Sequence, residues 1–467
     1  MSKMMRKPLK CLIVFSFLII LETLCSEVCN ETSKSACNCK LLLDQKRHNL
    51  PSLFADCTAR GISEVPSLLK SKVNHLDLSF NNIAVLDPNI QNLSSVELYV
   101  LELEYNQITR IDEEFFFTAI NLEVLDLSHN SIESLDSQTF QHSVKLQKLD
   151  LSFNMIKHLP QEIFKPLENL NYLDLSYNLL GGFLESTSLV SNLNPQITEL
   201  KLNGMNITAF PNDFFHSFEQ LQYLSLADNY LLLVPVLPQS LQYLDLSGNK
   251  LAYIAAHYLN YPSLKVLRLN RMESLWNIHN YAFYNLPALE KLEITDCPNL
   301  NQINELAFDA LPEDSRLFPD FISLARNRLN TLNDTYAFIF KNMKGADLTE
   351  NPWHCDCDIL WLQHYRHILY RHNNVRCETP KQMKGKPITN LSSTDLPECF
   401  PHVYGKKSHR ILIVMLLVTI VMLFGVIFVL IRYPFSWLAA NRAVGPNSPY
   451  SPPSTPVSVS NNPFTIQ

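Results

Sequence analysis

The sequence has no marked excess of either charge: 38 Lys and Arg stand against 45 Asp and Glu, a net of −7. That removes the usual electrostatic footprint of nucleic-acid binding. It also lacks the motifs of catalysis. There is no nucleophile elbow, no phosphate loop and no HExxH pair, so the expectation is a protein that is not an enzyme and carries no cofactor. Glycine is scarce, at 10 of 467 residues. Cysteine is nearly missing from the middle of the chain, where only Cys297 lies between Cys57 and Cys355. A long apolar stretch, 411–431, lacks charge altogether.

That uncharged stretch reads "ILIVMLLVTIVMLFGVIFVLI". As a helix its length of ~31 Å matches the hydrocarbon core of a bilayer, so a single transmembrane helix is expected over 411–431. The N-terminus, "MSKMMRKPLKCLIVFSFLIIL", has a basic segment and an apolar run too short to span. It reads as a signal peptide over 1–25 with cleavage after Cys25 or Ser26. Lys406, Lys407 and Arg410 before the span outnumber the basic residues just after it, which on charge alone favours the opposite orientation. The signal peptide and the sequons at Asn30, Asn92, Asn206, Asn333 and Asn390, all before the span, set the orientation instead. The expected topology is a plasma-membrane, single-pass type I protein with its N-terminus outside.

Two cysteine quartets flank the long middle: Cys29, Cys37, Cys39 and Cys57, then Cys355, Cys357, Cys377 and Cys399. In an oxidising compartment they read as disulfide-stapled caps over 26–72 and 352–400. Zinc is the competing reading, but C-x-C spacings are not those of zinc knuckles.

Between the caps, over 73–351, the chain repeats the template L-x-x-L-x-L-x-x-N-x-L. Clear copies begin at Val73, Leu98, Leu122, Leu146, Leu170, Leu221 and Leu241, weaker ones at Ile197, Leu264, Leu289, Pro319 and Met343. This is the leucine-rich repeat signature. The fourth and sixth positions fall on one face of a strand, and a lone copy cannot bury enough to offset its ordering cost. Stacking about twelve copies predicts an α/β-type solenoid, curved, with a parallel inner sheet. Phe116, Phe140, Phe164, Phe214, Phe283, Phe308 and Phe338 are expected to form a second buried row in the return segments. The ninth position is usually Asn, whose amide can satisfy backbone groups where the chain leaves the sheet. Cys297 occupies a ninth position and reads as a packed thiol, not a nucleophile. Met205 and Met272 occupy two others, where looser turns are expected.

The repeats with "NPWHCDCDILWL" at 351–362 resemble animal cell-surface leucine-rich repeat proteins with one membrane span, and the repeat style is similar to Toll-like receptor ectodomains. The resemblance implies pairing of Cys355 with Cys377 and of Cys357 with Cys399. The N-terminal quartet resembles the other cap of that family, but its wide gaps leave the pairing open. Unlike those receptors, the chain has only 36 residues after Ile431, too few for a signalling domain.

Ligand-binding candidates lie on the inner sheet face: Tyr172, Tyr223 and Tyr243 at position three, Asp126, Asp150 and Asp174 at position five. Residues 73–184 carry 16 acidic and 5 Lys or Arg side chains, residues 359–410 carry 3 and 9. The acidic array suits a basic partner, and the basic cap with its juxtamembrane segment 401–410 suits a sulfated glycan or anionic headgroups. His354, His364, His367 and His372 cluster near the second cap, with His364 and His367 expected on one helix face, but no metal is assigned there. The Pro- and Ser-rich tail, 432–467, is expected to be cytoplasmic, and Asn462, Pro463 and Phe464 resemble the motif bound by endocytic EH-domain adaptors. The functional expectation is a cell-surface recognition protein, an adhesion molecule or co-receptor, binding a protein ligand through the solenoid. The alternatives are an auxiliary subunit of a channel or receptor and a decoy for Toll-like receptor ligands.

Overall fold

The computed structural model describes residues 37–44, 50–66, 73–88, 97–186, 196–308, 319–399 and 407–432. They fall into two units, residues 1–399 and 400–467. In the first, one 14-stranded sheet runs through the chain in sequence order. It begins with an antiparallel hairpin, Asn38–Asp44 and Leu50–Asp56. The second hairpin strand pairs in parallel with Val73–Asp77, the first repeat strand. From there one strand per repeat adds in parallel, through Val100–Glu102, Val124–Asp126, Lys148–Asp150, Tyr172–Asp174 and onward to Gly345–Asp347. The twelve strands after the hairpin match the twelve copies found in the sequence.

The strands are short because each repeat turns as soon as its sixth residue is buried. The fourth- and sixth-position leucines, such as Leu101 and Leu103 or Leu149 and Leu151, are fully buried, while position three stays partly open and position five is partly open at Glu102 and Asp126 but buried at Asp150 and Asp174. Each buried leucine contributes ~1.5–3 kcal/mol relative to exposure, and only a stacked neighbour can cover both of its sides. Phe116, Phe140, Phe164, Phe214 and Phe283 are buried in the return segments as expected. Phe308 and Phe338 are half-buried, and Phe308 meets the ring of Tyr336 at 5.9 Å.

The ninth-position asparagines form a ladder, interrupted at Met205 and Met272. Asn106 Nδ2 donates to Leu78 O of the preceding repeat and to its own Leu103 O, while its Oδ1 accepts from Ile83 N. Asn130, Asn154, Asn178, Asn249, Asn327 and Asn351 repeat the pattern. Cys297 keeps one rung: its Sγ–H points to Leu269 O at 3.3 Å, the carbonyl an asparagine would take there. Met205 cannot, and the repeat before it departs from the rest. After Asn178 the chain enters a helix, Gly181–Ser186, with Gly181 packed so tightly on Met205 O that a Cβ would collide with it.

Cys37 pairs with Cys57, Cys355 with Cys377 and Cys357 with Cys399. Cys39 is also disulfide-bonded. Cys29, the remaining N-terminal cap cysteine, lies outside the described residues. In the second cap the strand Trp353–His354 pairs with Cys377–Thr379. The segment bearing His364 is a 3-10 helix, Leu360–Tyr365, which ends before His367, so the two do not share an α-helical face as expected. Among the described residues no three His, Cys, Asp or Glu converge as a metal site would require.

In the second unit Lys407–Arg432 is one helix of 26 residues containing the whole of 411–431. Among the described residues no helix is long and apolar enough to cross a membrane. The signal peptide and the tail motif at 462–464 lie outside the described residues.

Candidate functional site

Because the strands pair in register, equivalent positions of successive repeats form rows along the open sheet face. Tyr223 and Tyr243 are direct partners, and their rings stack at 3.9 Å and 8°. Tyr172 is two strands before Tyr223, with Glu199 between them. A residue that the repeat pattern did not single out joins them. Lys201 Nζ donates to Tyr172 Oη at 2.8 Å, lies 4.7 Å over that ring and 5.8 Å from the ring of Tyr223, and sits 3.7 Å from Asp174 Oδ2. Arg268 closes the far side, donating from Nη1 to Tyr243 Oη at 2.8 Å and pairing with Glu293 at 2.7 Å. Burial first, then the charge of Asp150 and Asp174, drives the Tyr172 hydroxyl far above the usual phenol range, so it remains a neutral hydrogen-bonding group.

Asp126, Asp150 and Asp174 stand side by side in the first half of the sheet. One oxygen of each holds the fold: Oδ1 accepts from the backbone N of Ser128, Ser152 and Ser176, closing the turn that leaves the strand. The second oxygens of Asp150 and Asp174 accept from Tyr172 Oη, at 3.5 and 3.4 Å. Burial, then the Asp150 charge, raises the carboxyls of Asp126 and Asp174. Glu104, at position seven, is raised by burial and by the charges around it, Asp126 first. Asp77, Glu104, Asp126 and Asp150 make no ion pair among the described residues, while Glu102 meets only His75, at 2.8 Å.

The most regular feature of this face was not read from the sequence. All twelve eighth positions have positive φ, from 53° to 72°, whatever residue stands there. This turn aligns their side chains in a row beside the sheet. In the first five repeats the row is Phe80, Tyr105, His129, Phe153 and Tyr177, stacked at 4.5, 4.0, 4.1 and 4.3 Å with interplanar angles of 7–16°. Then the row changes character. Past Gly204, Tyr177 Oη reaches Asp228, and past Gly248, Asp228 pairs with Arg271 at 2.9 Å. Asp296 and Arg326 pair at 2.5 Å further on. The signal in the sequence was an aromatic before the ninth-position Asn in five consecutive copies: "SFN", "EYN", "SHN", "SFN", "SYN".

Of the sequons, Asn206 and Asn390 are exposed. Asn333 Nδ2, the atom a glycan would need, donates to Glu305 at 2.9 Å. Asn30 and Asn92 lie outside the described residues. The basic cap is partly self-neutralised, since Lys384 pairs with Glu378 and Lys386 with Asp395.

Leucine rich repeat models match residues 96–156, 144–192 and 195–251, and a BspA type leucine rich repeat region model matches 239–322. Toll-like receptor 2 type-1 of Gallus gallus is 26% identical over 274 residues, which is 55% of this chain and 28% of the receptor. Toll-like receptor 2 type-2 of the same species is 26% identical over 280 residues, 56% of this chain and 31% of the receptor. The chain thus matches less than a third of those receptors' length. Among solved structures, a chain of the octameric complex of latrophilin 3, Unc5D and FLRT2 (LRR) superimposes with a TM-score of 0.51 at 22% identity, covering 78% of this chain and 99% of that one. An internalin of Listeria monocytogenes gives 0.50 at 19%, covering 68% and 85%. Residues 96–322 carry leucine-rich repeats in a parallel solenoid, similar to those of Toll-like receptors and of FLRT2.

Proposed function

We propose that the chain is a cell-surface recognition protein, an adhesion molecule or co-receptor, that binds a protein ligand through the open face of its solenoid. The supporting observation is the density of half-open aromatic and charged side chains in register on that face, Tyr172, Lys201, Tyr223, Tyr243 and Arg268 above all. Aromatic and Arg side chains on a rigid scaffold are what protein interfaces concentrate at their centres. The likeness to FLRT2, whose solved complex includes latrophilin 3 and Unc5D, supports a protein as ligand.

In this reading the helix over 411–431 anchors the ectodomain, its run of 21 uncharged residues being long enough to span a bilayer. The N-terminus is outside and the tail inside, open to an EH-domain adaptor at 462–464. A sulfated glycan would have to use the exposed Arg366, Arg371 and Lys381. The protein acts by binding, not by catalysis.

The test is a screen of the secreted ectodomain, residues 26–400, against cell-surface and secreted proteins, repeated with Lys201→Glu and Tyr243→Ala. A protein ligand lost in both variants is expected. No ligand, or one indifferent to both, would count against this reading.

A further inference from the structure

The aromatic row is costly as architecture. A non-glycine residue is strained in the left-handed region, and bulky side chains are rare there. Stacking of the rings offsets part of that strain but leaves large apolar edges in water. Phe80 is 51% exposed, Tyr105 43%, Phe153 42% and Tyr177 37%. Beside it runs the carboxylate row Asp77, Glu102, Asp126, Asp150 and Asp174, of which the first three are half-open and the last two buried, with the half-open Glu104 next to Tyr105 in the chain. Across these five repeats the strand positions three and five offer only His75 and Lys148 as cationic side chains.

The chemistry of this surface selects its occupant. Polyanions are repelled by the carboxylates, which sets aside sulfated glycans, nucleic acid and anionic lipid. Neutral sugars and small organic cations bind aromatic side chains on their faces, and here each inner face is already covered by the next ring. What remains available is a ridge of ring edges flanked by negative charge. It complements a surface that is apolar in part and bears Lys or Arg alongside. We propose that the ladder from Phe80 to Tyr177, with the carboxylate row beside it, is the docking surface for a basic segment of a protein partner. The proposal rests on the reading of the solenoid as a protein-binding scaffold, and it names the half of the face that makes first contact.

The test uses the full-length chain in detergent and three labelled synthetic peptides of equal length: alternating Lys and Leu, alternating Glu and Leu, and Lys alone. Anisotropy titrations compare the wild type with Tyr105→Ser/Phe153→Ser, with Asp126→Asn/Asp150→Asn, and with Tyr230→Ser as an exposed aromatic control off the ladder. The Asn pair keeps the Oδ1 acceptors that Ser128 and Ser152 use, so it reports on charge in a folded chain. Expected are binding of the Lys–Leu peptide, a loss of about tenfold or more in both double variants, no loss in the control, and no binding of the Glu–Leu peptide. Overturning results are equal affinity for Lys alone, an unchanged affinity in the ladder variant, or self-association of the chain that the ladder variant abolishes, which would make a second copy the occupant. A ligand from the ectodomain screen that ignores the ladder variants would overturn this surface and leave protein binding standing. Peptide binding as expected with an empty screen would do the reverse.

Discussion

Tyr177 Oη donates to Asp228 Oδ2 at 2.8 Å, spanning a repeat that contributes only Gly204 to the row between them. The tyrosine ring lies where a Cβ on Gly204 would stand, and Gly204 has φ +62°. The aromatic half of the row and its charged half are therefore joined by one hydrogen bond over one glycine.

Two separable costs follow for Gly204→Ala: strain from φ and collision with the ring. Together they should destabilise the chain by more than ~1 kcal/mol. In a Tyr177→Ala background the collision is gone and only strain remains. A double-mutant cycle by thermal unfolding should show the two changes coupled. Strict additivity would mean that the ring moves aside at no cost and that the junction is not a fixed element.

Asn249 is fully buried and holds three carbonyls and one amide: Nδ2 donates to Leu226 O, Leu246 O and Ser247 O, and Oδ1 accepts from Leu231 N. Asn249→Ala leaves these groups without their partner in a dry place, at ~1–3 kcal/mol for an orphaned buried group. The loss should be local at first, because a solenoid repeat depends on its neighbours. Hydrogen exchange should show the Leu231 amide losing protection before amides several repeats away. Unchanged protection there would show that the ladder does not hold the turn.

What was legible in the sequence follows a physical pattern. Period and burial were readable, so the twelve strands, the leucine rows and the Asn ladder appear where the template put them, and the C-terminal disulfides, Cys355 to Cys377 and Cys357 to Cys399, are those the family resemblance implied. Register turned Tyr223 and Tyr243 into a stacked pair, as their shared position implies. What escaped depended on geometry that a one-letter pattern does not carry. The eighth residue looks variable until its positive φ is known, and only then do Phe80, Tyr105, His129, Phe153 and Tyr177 become one stack. Lys201 looked like an ordinary substitution in a weak repeat, yet it interrupts the acidic row and bridges Tyr172 to Tyr223. Spacing put Phe338 in the aromatic row but carried no sign that Tyr336, at the end of the 3-10 turn Asp334–Tyr336, also meets Phe308.

The acidic row has a pH signature. Asp126 and Asp174 have carboxyls raised above their ordinary 3.8, by burial and then by Asp150. Between the ordinary and the raised value the folded chain holds more protons than the unfolded one, so these groups make stability fall as pH rises through that window. Asp150→Asn removes the shared charge while its Oδ1 can still accept from Ser152 N. The variant should be more stable than wild type at neutral pH, and the gap should close as the pH is lowered through that window. Carboxyl titration by NMR should show Asp126 and Asp174 moving down. A variant less stable than wild type at neutral pH would indicate that the second oxygen of Asp150 makes a contact worth more than the repulsion.

Cys297 is the one free thiol among the described residues, fully buried, with burial and the neighbouring Asp296 pushing it up to about 11. Few thiolates form at neutral pH and no reagent reaches them, so the native chain should resist iodoacetamide and react only once urea opens the tenth repeat. The more telling substitution is Cys297→Asn. It restores the residue most repeats carry, and its amide could take the bond that Sγ now offers to Leu269 O. Cys297→Ala removes that bond and leaves a small void, costing ~1 kcal/mol. If the position is purely a rung of the ladder, Asn should match or exceed Cys in urea unfolding, with Ala below both. If Asn falls below Ala, the pocket around Asn327 Oδ1, which accepts from Cys297 N, is shaped for sulfur and the rung has been rebuilt around the thiol.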